Sequence, residues 1–499
     1  MMSLKVQNNQ LFHIDEISFH NKNTFHENVF EALSKDFRMI GLFPIDAKIP
    51  HRIIALLADL HTSFIHIVGG EFPKEQLEFE SFANDYPHTN YFECELAENN
   101  GFAILDHPWL RPVRKQNVIN GDEKYNFYKL EGDEVHEVAV GPIHAGIIEP
   151  GHFRFQCHGE LVYHLEINLG YQHRGVEKEM LNAKPAQRII LSESIAGDTV
   201  IGHTYAHCSA IESLANISTS LRAQVIRSIA EEIERVAMHL SGLGGVANDI
   251  GLAIVSASYG RLRTLMINSL AALCGSRSGR GLFVYGGVRY DFNEETIKKI
   301  IANLEVVKKD VTEINNFLFS STGALTRFDG TGKVKKDVAK QVGMVGIAAR
   351  ACGIEIDARI NTPYGAYRYF PVSLITLPTG DVFARARLRA LEIDESLHFI
   401  FEQIKNLPEG KLCEHTLSGK VESVITEPNS GVISIVEGWR GEVIHASFTD
   451  ANGNIIQYKI KDPSFNNWYG LSLALRETAI SDFPLCNKSF DLSYAGHDL

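Results

Sequence analysis

Between about Lys184 and Leu407 the chain alternates apolar and polar residues at helical rather than strand spacing, over a stretch long enough for several helices. Ala206–Met238 carries apolar residues three and four apart without a proline, which is too long for a strand. Tyr259–Cys274, Glu294–Phe319 and Asp381–Ile404 repeat the pattern. Long helices with one apolar stripe each must bury those stripes against one another, so this block predicts a helical bundle. The flanks differ. Val138–Gly170 is strand-like, with alternating runs His152–His158 and Leu161–Leu169 around Gly159-Glu160 predicting a hairpin. Residues 412–462 switch to strands at Gly419–Ile425, Gly431–Glu437 and Gly441–Phe448, then a hairpin through Asp450–Gly453 to Ile455–Ile460. Ser464–Ile480 returns to helix before an irregular tail. Residues 1–130 suggest a small α/β unit. Helices are expected around His26–Phe37 and His51–Leu60, strands at Ser63–Val68 and Phe102–Leu105, and a linker at Val113–Asp133.

Composition bounds the function. With 499 residues, 44% hydrophobic and 22% charged, the chain is ordinary globular material for two to four domains. A net charge of -13 argues against nucleic-acid partners, which favour a basic face. The seven cysteines are scattered singly with no CxxC, so no local zinc, disulfide or iron–sulfur motif exists, and a reducing compartment is expected. No secretory signal begins the sequence, and no run of about 18 apolar residues occurs. The expectation is a soluble, intracellular chain that reaches a membrane only through partners. No glycine-rich fingerprint supports direct NAD binding.

Two segments stand out. Gly141-Pro-Ile-His-Ala-Gly-Ile-Ile-Glu-Pro-Gly-His152 is a tight, structured loop before a strand. Gly170-Tyr-Gln-His-Arg-Gly-Val-Glu177-Lys places four polar groups where a strand gives way to a helix. In this order they resemble the large subunit of group 4 nickel–iron hydrogenases and the homologous 49-kDa-type subunit of respiratory complex I. Gly286-Gly-Val-Arg289, Thr379-Gly-Asp381-Val-Phe-Ala-Arg385-Ala-Arg387 and Asp462-Pro-Ser-Phe-Asn-Asn-Trp468 resemble further motifs of that family. The resemblance runs from about His136 to Leu499. Phe92–Gly101 and His107–Val113 more weakly resemble the 30-kDa-type subunit of complex I, and a fusion of the two resembles formate-hydrogenlyase large subunits.

The resemblance implies an α+β fold: a small N-terminal α/β domain (1–130), then a hydrogenase-large-subunit-like domain (131–499). The latter would comprise a helical core (about 184–407), a β insertion (about 412–462) and a C-terminal helix and tail (464–499). It also implies where chemistry has changed. The hydrogenases hold nickel and iron with thiolates from a CGxCxxxH motif and a C-terminal DPCxxCxD motif. Here these read Ala196-Gly-Asp-Thr199-Val-Ile-Gly-His203 and Asp491-Leu-Ser493-Tyr-Ala-Gly496-His-Asp498. Ala196, Thr199, Ser493 and Gly496 stand where the four cysteines would be, so no metal is expected. The hydrogenases' C-terminal extension, removed after nickel insertion, would have no purpose after Leu499.

Complex I grips quinone with a loop histidine and a tyrosine; here only His144 matches the first, and Gly197 stands near the second. Quinone binding through Tyr205, His203 or Tyr494 stays open. If the fold is kept, His144, Glu177, Asp198, His203, Asp381, Arg385 and His497 are expected to converge on the old cavity. In the hydrogenases the glutamate matching Glu177 relays protons. A proton or conformational coupling role, a satisfied polar network in an interaction subunit, and a new redox substrate are the readings that follow. The resemblance implies no cofactor in this chain and iron–sulfur clusters on partners, above all a small iron–sulfur subunit. It further implies antiporter-like and quinone-module-like membrane subunits, a cytoplasmic place on the inner face of the membrane, and no nucleic acid.

Overall fold

The computed structural model describes all residues except 1, 116–117, 120–122, 146–147 and 415–423. Its fold is α+β, and its centre is the helix Leu221–Asp249. Ser220 caps its start by accepting from the Ala223 amide at 3.1 Å. Val225, Ile229, Ile233, Val236, Leu240 and Leu243 are buried at helical spacing. This helix packs against Ala253–Cys274, Val382–Lys405 and Phe483–Phe490, while Glu294–Ser320 lies against Ala253–Cys274. The expected single helix across Ala206–Met238 is two helices, Val200–Leu214 and Leu221–Asp249. Asn216 adopts φ of 50° between them, and the Ser-Thr-Ser stretch then re-caps the chain.

Strands Ser430–Gly438, Gly441–Thr449 and Ile455–Lys461 form an antiparallel meander on this bundle, and Phe12–His13 adds a fourth strand to it. The expected strand Gly419–Ile425 lies largely outside the described residues. A second meander, Val135–Val140, His152–His158 and Leu161–Asn168, matches the expected hairpin and packs Phe153 and Phe155 against Phe483. The tail, expected to be irregular, is helical: Phe483–Phe490 and Tyr494–Asp498, both largely buried.

The N-terminal sheet runs Leu4–Val6, Phe64–Glu71, Arg52–Asp59, Arg38–Pro44 in antiparallel order, with Phe19–His20 parallel to Phe64–Glu71. The segment expected to be helical at His51–Leu60 is thus a central strand. Its Ile53, Ala55 and Leu57 enter the core under the helices Lys22–Ser34 and Asn90–Asn100, and its Ile54, Leu56 and Ala58 enter the main core. Burial on both faces removes the alternation that would mark a strand.

That second face is why the N-terminal unit is firmly joined to the rest. Buried ion pairs cross the junction: Arg38 binds Glu442 bidentately at 2.7 and 2.6 Å and Lys459 reaches Glu95 at 2.5 Å, while Lys461, on the strand next to Glu442, reaches the same carboxylate at 2.5 Å. Burial pushes the Glu442 carboxyl up, but Arg38 and Lys461 outweigh it and hold it at about 2, below the ordinary 4.5. Because the folded value is the lower, this stabilisation is complete above 4.5 and is lost as pH falls toward 2. We expect Arg38→Ala to cost about 3–5 kcal/mol, as removal of one partner of a buried pair does. Arg261→Ala, at an exposed pair with Asp310, should cost under about 1 kcal/mol. Denaturant titration compares the two, and Glu442→Gln should flatten the acid limb of the stability profile relative to wild type.

Candidate functional site

The hairpin turn between Gly438 and Gly441 has two residues, Trp439 and Arg440. Gly441 sits at φ 140°, and a Cβ there would lie 2.9 Å from the Gly346 backbone, so the turn is wedged and its tip fixed. Arg440 projects from this tip and is buried. Its guanidinium binds the Asp198 carboxylate at 2.7 and 2.6 Å and Thr199 Oγ1 at 3.2 Å, and its Nε donates to the Asp491 carbonyl. Trp439 Nε1 donates to the Asp198 carbonyl at 2.8 Å, and the guanidinium lies 3.9 Å from the Trp439 ring centroid. One cation therefore joins the loop at 196–199 to the segment that begins at Asp491.

His203 follows one turn into the helix Val200–Leu214 and is fully buried between Asp462 Oδ2 at 3.1 Å and His445 Nε2 at 3.2 Å. Asp462 caps the helix Pro463–Ala474 by accepting from the Ser464 amide at 2.8 Å. Burial pushes its carboxyl up, but His203 and then Arg440 draw it below the usual carboxylate range. A Cβ on Gly496 would stand 2.5 Å from the Asp462 carboxylate. Ser493 Oγ is occupied as the cap of the last helix, accepting from the Gly496 amide at 2.9 Å. His497 pairs with Asp498 at 2.9 Å, and Asp498 accepts the amides of Gly170 and Gln172 at 2.8 and 2.9 Å. Arg174 donates to the Ser194 and Ile195 carbonyls at 2.6 and 2.7 Å. Three separated motifs, 170–178, 194–203 and 491–498, thus meet.

The remaining candidates divide. Glu177 accepts from the Ile460 amide at 2.9 Å and pairs with Lys459 at 3.0 Å, two residues from Asp462 along the same strand. His144 bonds the Gly151 carbonyl at 2.9 Å and lines a cleft of about 530 Å³ with Ile148, Phe155, Asp491 and Tyr494. Asp381 and Arg385 do not join the group. Asp381 caps its helix through the Ala384 amide at 2.9 Å and accepts the Gly330 amide at 2.9 Å. Arg385 binds the carbonyls of Gly380 and Gly332 at 2.8 and 3.0 Å and Ser489 Oγ at 2.8 Å. Arg385, through Ser489, fixes the helix that leads into Asp491, whereas Asp381 fixes the start of its own helix. Sequence reasoning quoted Asp462 in a family motif without placing it at the site, and missed Arg440, His445, Tyr458 and His207. Of these, only His207 left a local signal, as a second histidine one turn after His203 on an apolar helix. Among the described residues, no cluster of three or more His, Cys, Asp or Glu is arranged to hold a metal ion.

The family profile of the respiratory-chain NADH dehydrogenase 49 kDa subunit matches residues 249–498. Formate hydrogenlyase subunit 5 of Escherichia coli K12 is 29% identical over 79% of this chain and 70% of its own. A component of the F420H2 dehydrogenase of Methanosarcina mazei is 30% identical over 72% of this chain and 97% of its own. A chain of the membrane-bound sulfane sulfur reductase, an archaeal respiratory membrane complex, superposes with a TM-score of 0.69 at 23% identity, covering 74% of this chain and all of that one. Among the described residues no helix is long and apolar enough to cross a membrane.

If Arg440 is the tie between the two segments, Arg440→Gln should release the second one. Hydrogen exchange of the amides at 492–499 should accelerate by roughly tenfold or more, since a charge-assisted hydrogen bond contributes about 1.5–3 kcal/mol. Unchanged exchange there would show that the tail is held without it.

Proposed function

Because this chain belongs to the family of the respiratory-chain NADH dehydrogenase 49 kDa subunit, we propose that it is a peripheral-arm subunit of a membrane-bound, complex-I-like assembly, and that it works without a nickel–iron centre of its own. The observation that carries this reading is the Arg440 guanidinium, held between Asp198, Thr199 and the Asp491 carbonyl. Those segments are where the hydrogenase resemblance puts the two pairs of metal-binding thiolates. Ala196 and Gly496 offer no ligand, and the hydroxyls of Thr199 and Ser493 are engaged with Arg440 and the Gly496 amide. Hydroxyl oxygens are also poor substitutes for thiolates at a soft metal centre, so the residues present do not fit one.

Electrons in such an assembly would travel on clusters carried by partners, foremost a small iron–sulfur subunit, at the inner face of the membrane. The part played by this chain would be to couple that transfer to ion movement in antiporter-like membrane subunits. Its buried acids, histidines and tyrosines supply groups that can hold and pass protons. A second reading, quinone binding, draws on the cleft of about 530 Å³, where Ile148, Phe155, Phe483 and Leu492 form apolar walls and His144 and Tyr494 stand as polar groups.

The test is purification of the intact assembly, metal analysis, and assays for hydrogen turnover, quinone reduction and ion transport. We expect no stoichiometric nickel, no hydrogen turnover, and ion transport linked to electron flow. One nickel per chain with hydrogen turnover would overturn the proposal. Quinone reduction abolished by Tyr494→Phe would favour the second reading for the cleft.

A further inference from the structure

His203 and His207 sit one turn apart on the helix Val200–Leu214, and both are fully buried. They belong to a continuous file of hydrogen bonds. It begins at Asp462 Oδ2, 3.1 Å from His203 Nε2. His203 Nδ1 is 3.2 Å from His445 Nε2, and His445 Nδ1 is 2.8 Å from the Tyr458 hydroxyl. That hydroxyl is 2.6 Å from His207 Nδ1, and His207 Nε2 is 2.8 Å from the Tyr285 hydroxyl. Tyr285 donates to the Pro185 carbonyl at 2.9 Å. The helix supplies two members, the meander supplies His445 and Tyr458 from adjacent strands, and Pro185 is partly exposed.

The ends of this file fix its proton count. A carbonyl and a carboxylate can only accept. Tyr285 gives its hydrogen to Pro185, so His207 must donate from Nε2 and accept at Nδ1 from Tyr458. Tyr458 must then accept from His445 Nδ1, and His445 must accept at Nε2 from His203 Nδ1. Five neutral groups have now used their five hydrogens on five of the six bonds. The His203 Nε2 lone pair would face the Asp462 carboxylate unless one more proton lies between them.

We propose that this file is a proton relay carrying one proton more than its neutral complement, held at rest as a His203 imidazolium against Asp462, and that it connects the buried Asp462 carboxylate, packed against Gly496, with the surface at Pro185. The proposal rests on the coupling role argued above and names the path. Transfer is a concerted shift. His203 passes its Nδ1 proton to His445 Nε2, and His445 passes its Nδ1 proton to the Tyr458 oxygen. Tyr458 passes its own to His207 Nδ1, His207 passes its Nε2 proton to the Tyr285 oxygen, and Tyr285 releases its proton to water at the Pro185 edge. The shift leaves His203 neutral with Nε2–H toward Asp462 and every donor direction reversed; after the rings and hydroxyls turn back, a proton taken up by the Asp462 carboxylate passes to His203 Nε2 and reloads the file. One proton enters, one leaves, and no electron moves.

The surroundings suit this arrangement. Burial takes His207 down to about 3, helped by Arg188, and takes His445 well below its ordinary value, helped by its two histidine neighbours. Neither therefore keeps the extra proton. Burial raises Tyr458 and Tyr285 far above the usual phenol range, so both stay protonated between transfers. The other charged or titratable groups bearing on the file are Arg440 at the Asp462 end, and Arg188, Cys208 and Glu212 near Tyr285.

Nitrogen-15 spectra of the full chain labelled in histidine read the tautomers directly. We expect His203 doubly protonated, His445 neutral with Nδ1–H and His207 neutral with Nε2–H. A neutral His203, or the opposite tautomer at either other ring, overturns the loaded file whatever the assembly does. In the intact assembly, Tyr458→Phe and Tyr285→Phe should each cut ion-linked turnover by roughly tenfold or more, the scale of a lost proton-transfer group. Tyr259→Phe, which removes an equally buried hydroxyl bonded to Asn315, should not. Equal turnover in all three variants, with the expected tautomers, overturns transfer along the file and leaves it a static network. A wild-type assembly that moves no ions contradicts the coupling role instead, a result separable from the tautomer pattern.

Discussion

Everything at the site hangs on a buried array of charges where the helical bundle meets the C-terminal meander. Arg350 pairs with Glu437 of the sheet at 2.7 Å and with Glu392 of the helix Val382–Lys405 at 2.8 Å. Arg359 pairs with Asp357 at 2.6 Å and Glu232 at 3.0 Å. Arg235 then donates to the carbonyls of Glu437 and Gly438 at 2.5 and 3.1 Å. Charges taken this far from water are tolerated only when each has partners in good geometry. The array therefore admits one register between bundle and sheet. Gly438 is its last link and also the first residue of the turn that carries Arg440. Burial lifts Glu437 to about 7, and takes Glu231, which accepts from Tyr364 and Tyr367 beside the array, to about 8, so both carboxyls lie within reach of protonation near neutrality.

From that register the rest follows by short steps. The turn delivers Arg440 to Asp198 and Asp491, and the same sheet delivers His445 and Tyr458 to the helix that carries His203 and His207. The N-terminal unit is locked to the outer side of this sheet through Glu442, so a disturbance on either side must pass through the strands that bear the histidine and tyrosine file. On the function proposed above, this fixed cation stands where the hydrogenase resemblance places thiolates, and the file of histidines and tyrosines beside it is the part that would move protons.

Much of the fold was legible in the sequence because its signals were local. The bundle helices, the hairpin at Gly159 and the meander after Gly431 all declared themselves by period and turn residues. Arg52–Asp59 did not, because two cores bury its two faces and erase the alternation. The break at Asn216 was hidden by apolar spacing that runs on through it. At the site, Asp198 and His203 were found through motif spacing, whereas Arg440 and His445 reach it from a turn and a strand more than two hundred residues away in sequence. Asp381 and Arg385 show the opposite error: a motif can persist for helix capping and for anchoring a neighbouring helix, so its presence does not bring its residues into the cavity.

On the reading proposed above, a guanidinium and not a metal joins the two segments that meet at Asp198 and Asp491. A high-resolution cryo-EM map of the intact assembly would show which of the two is there. We predict planar density for Arg440 contacting both Asp198 carboxylate oxygens and the Asp491 carbonyl. Arg440 turned away, with a heavy-atom peak between residues 196–199 and 493–496, would contradict it.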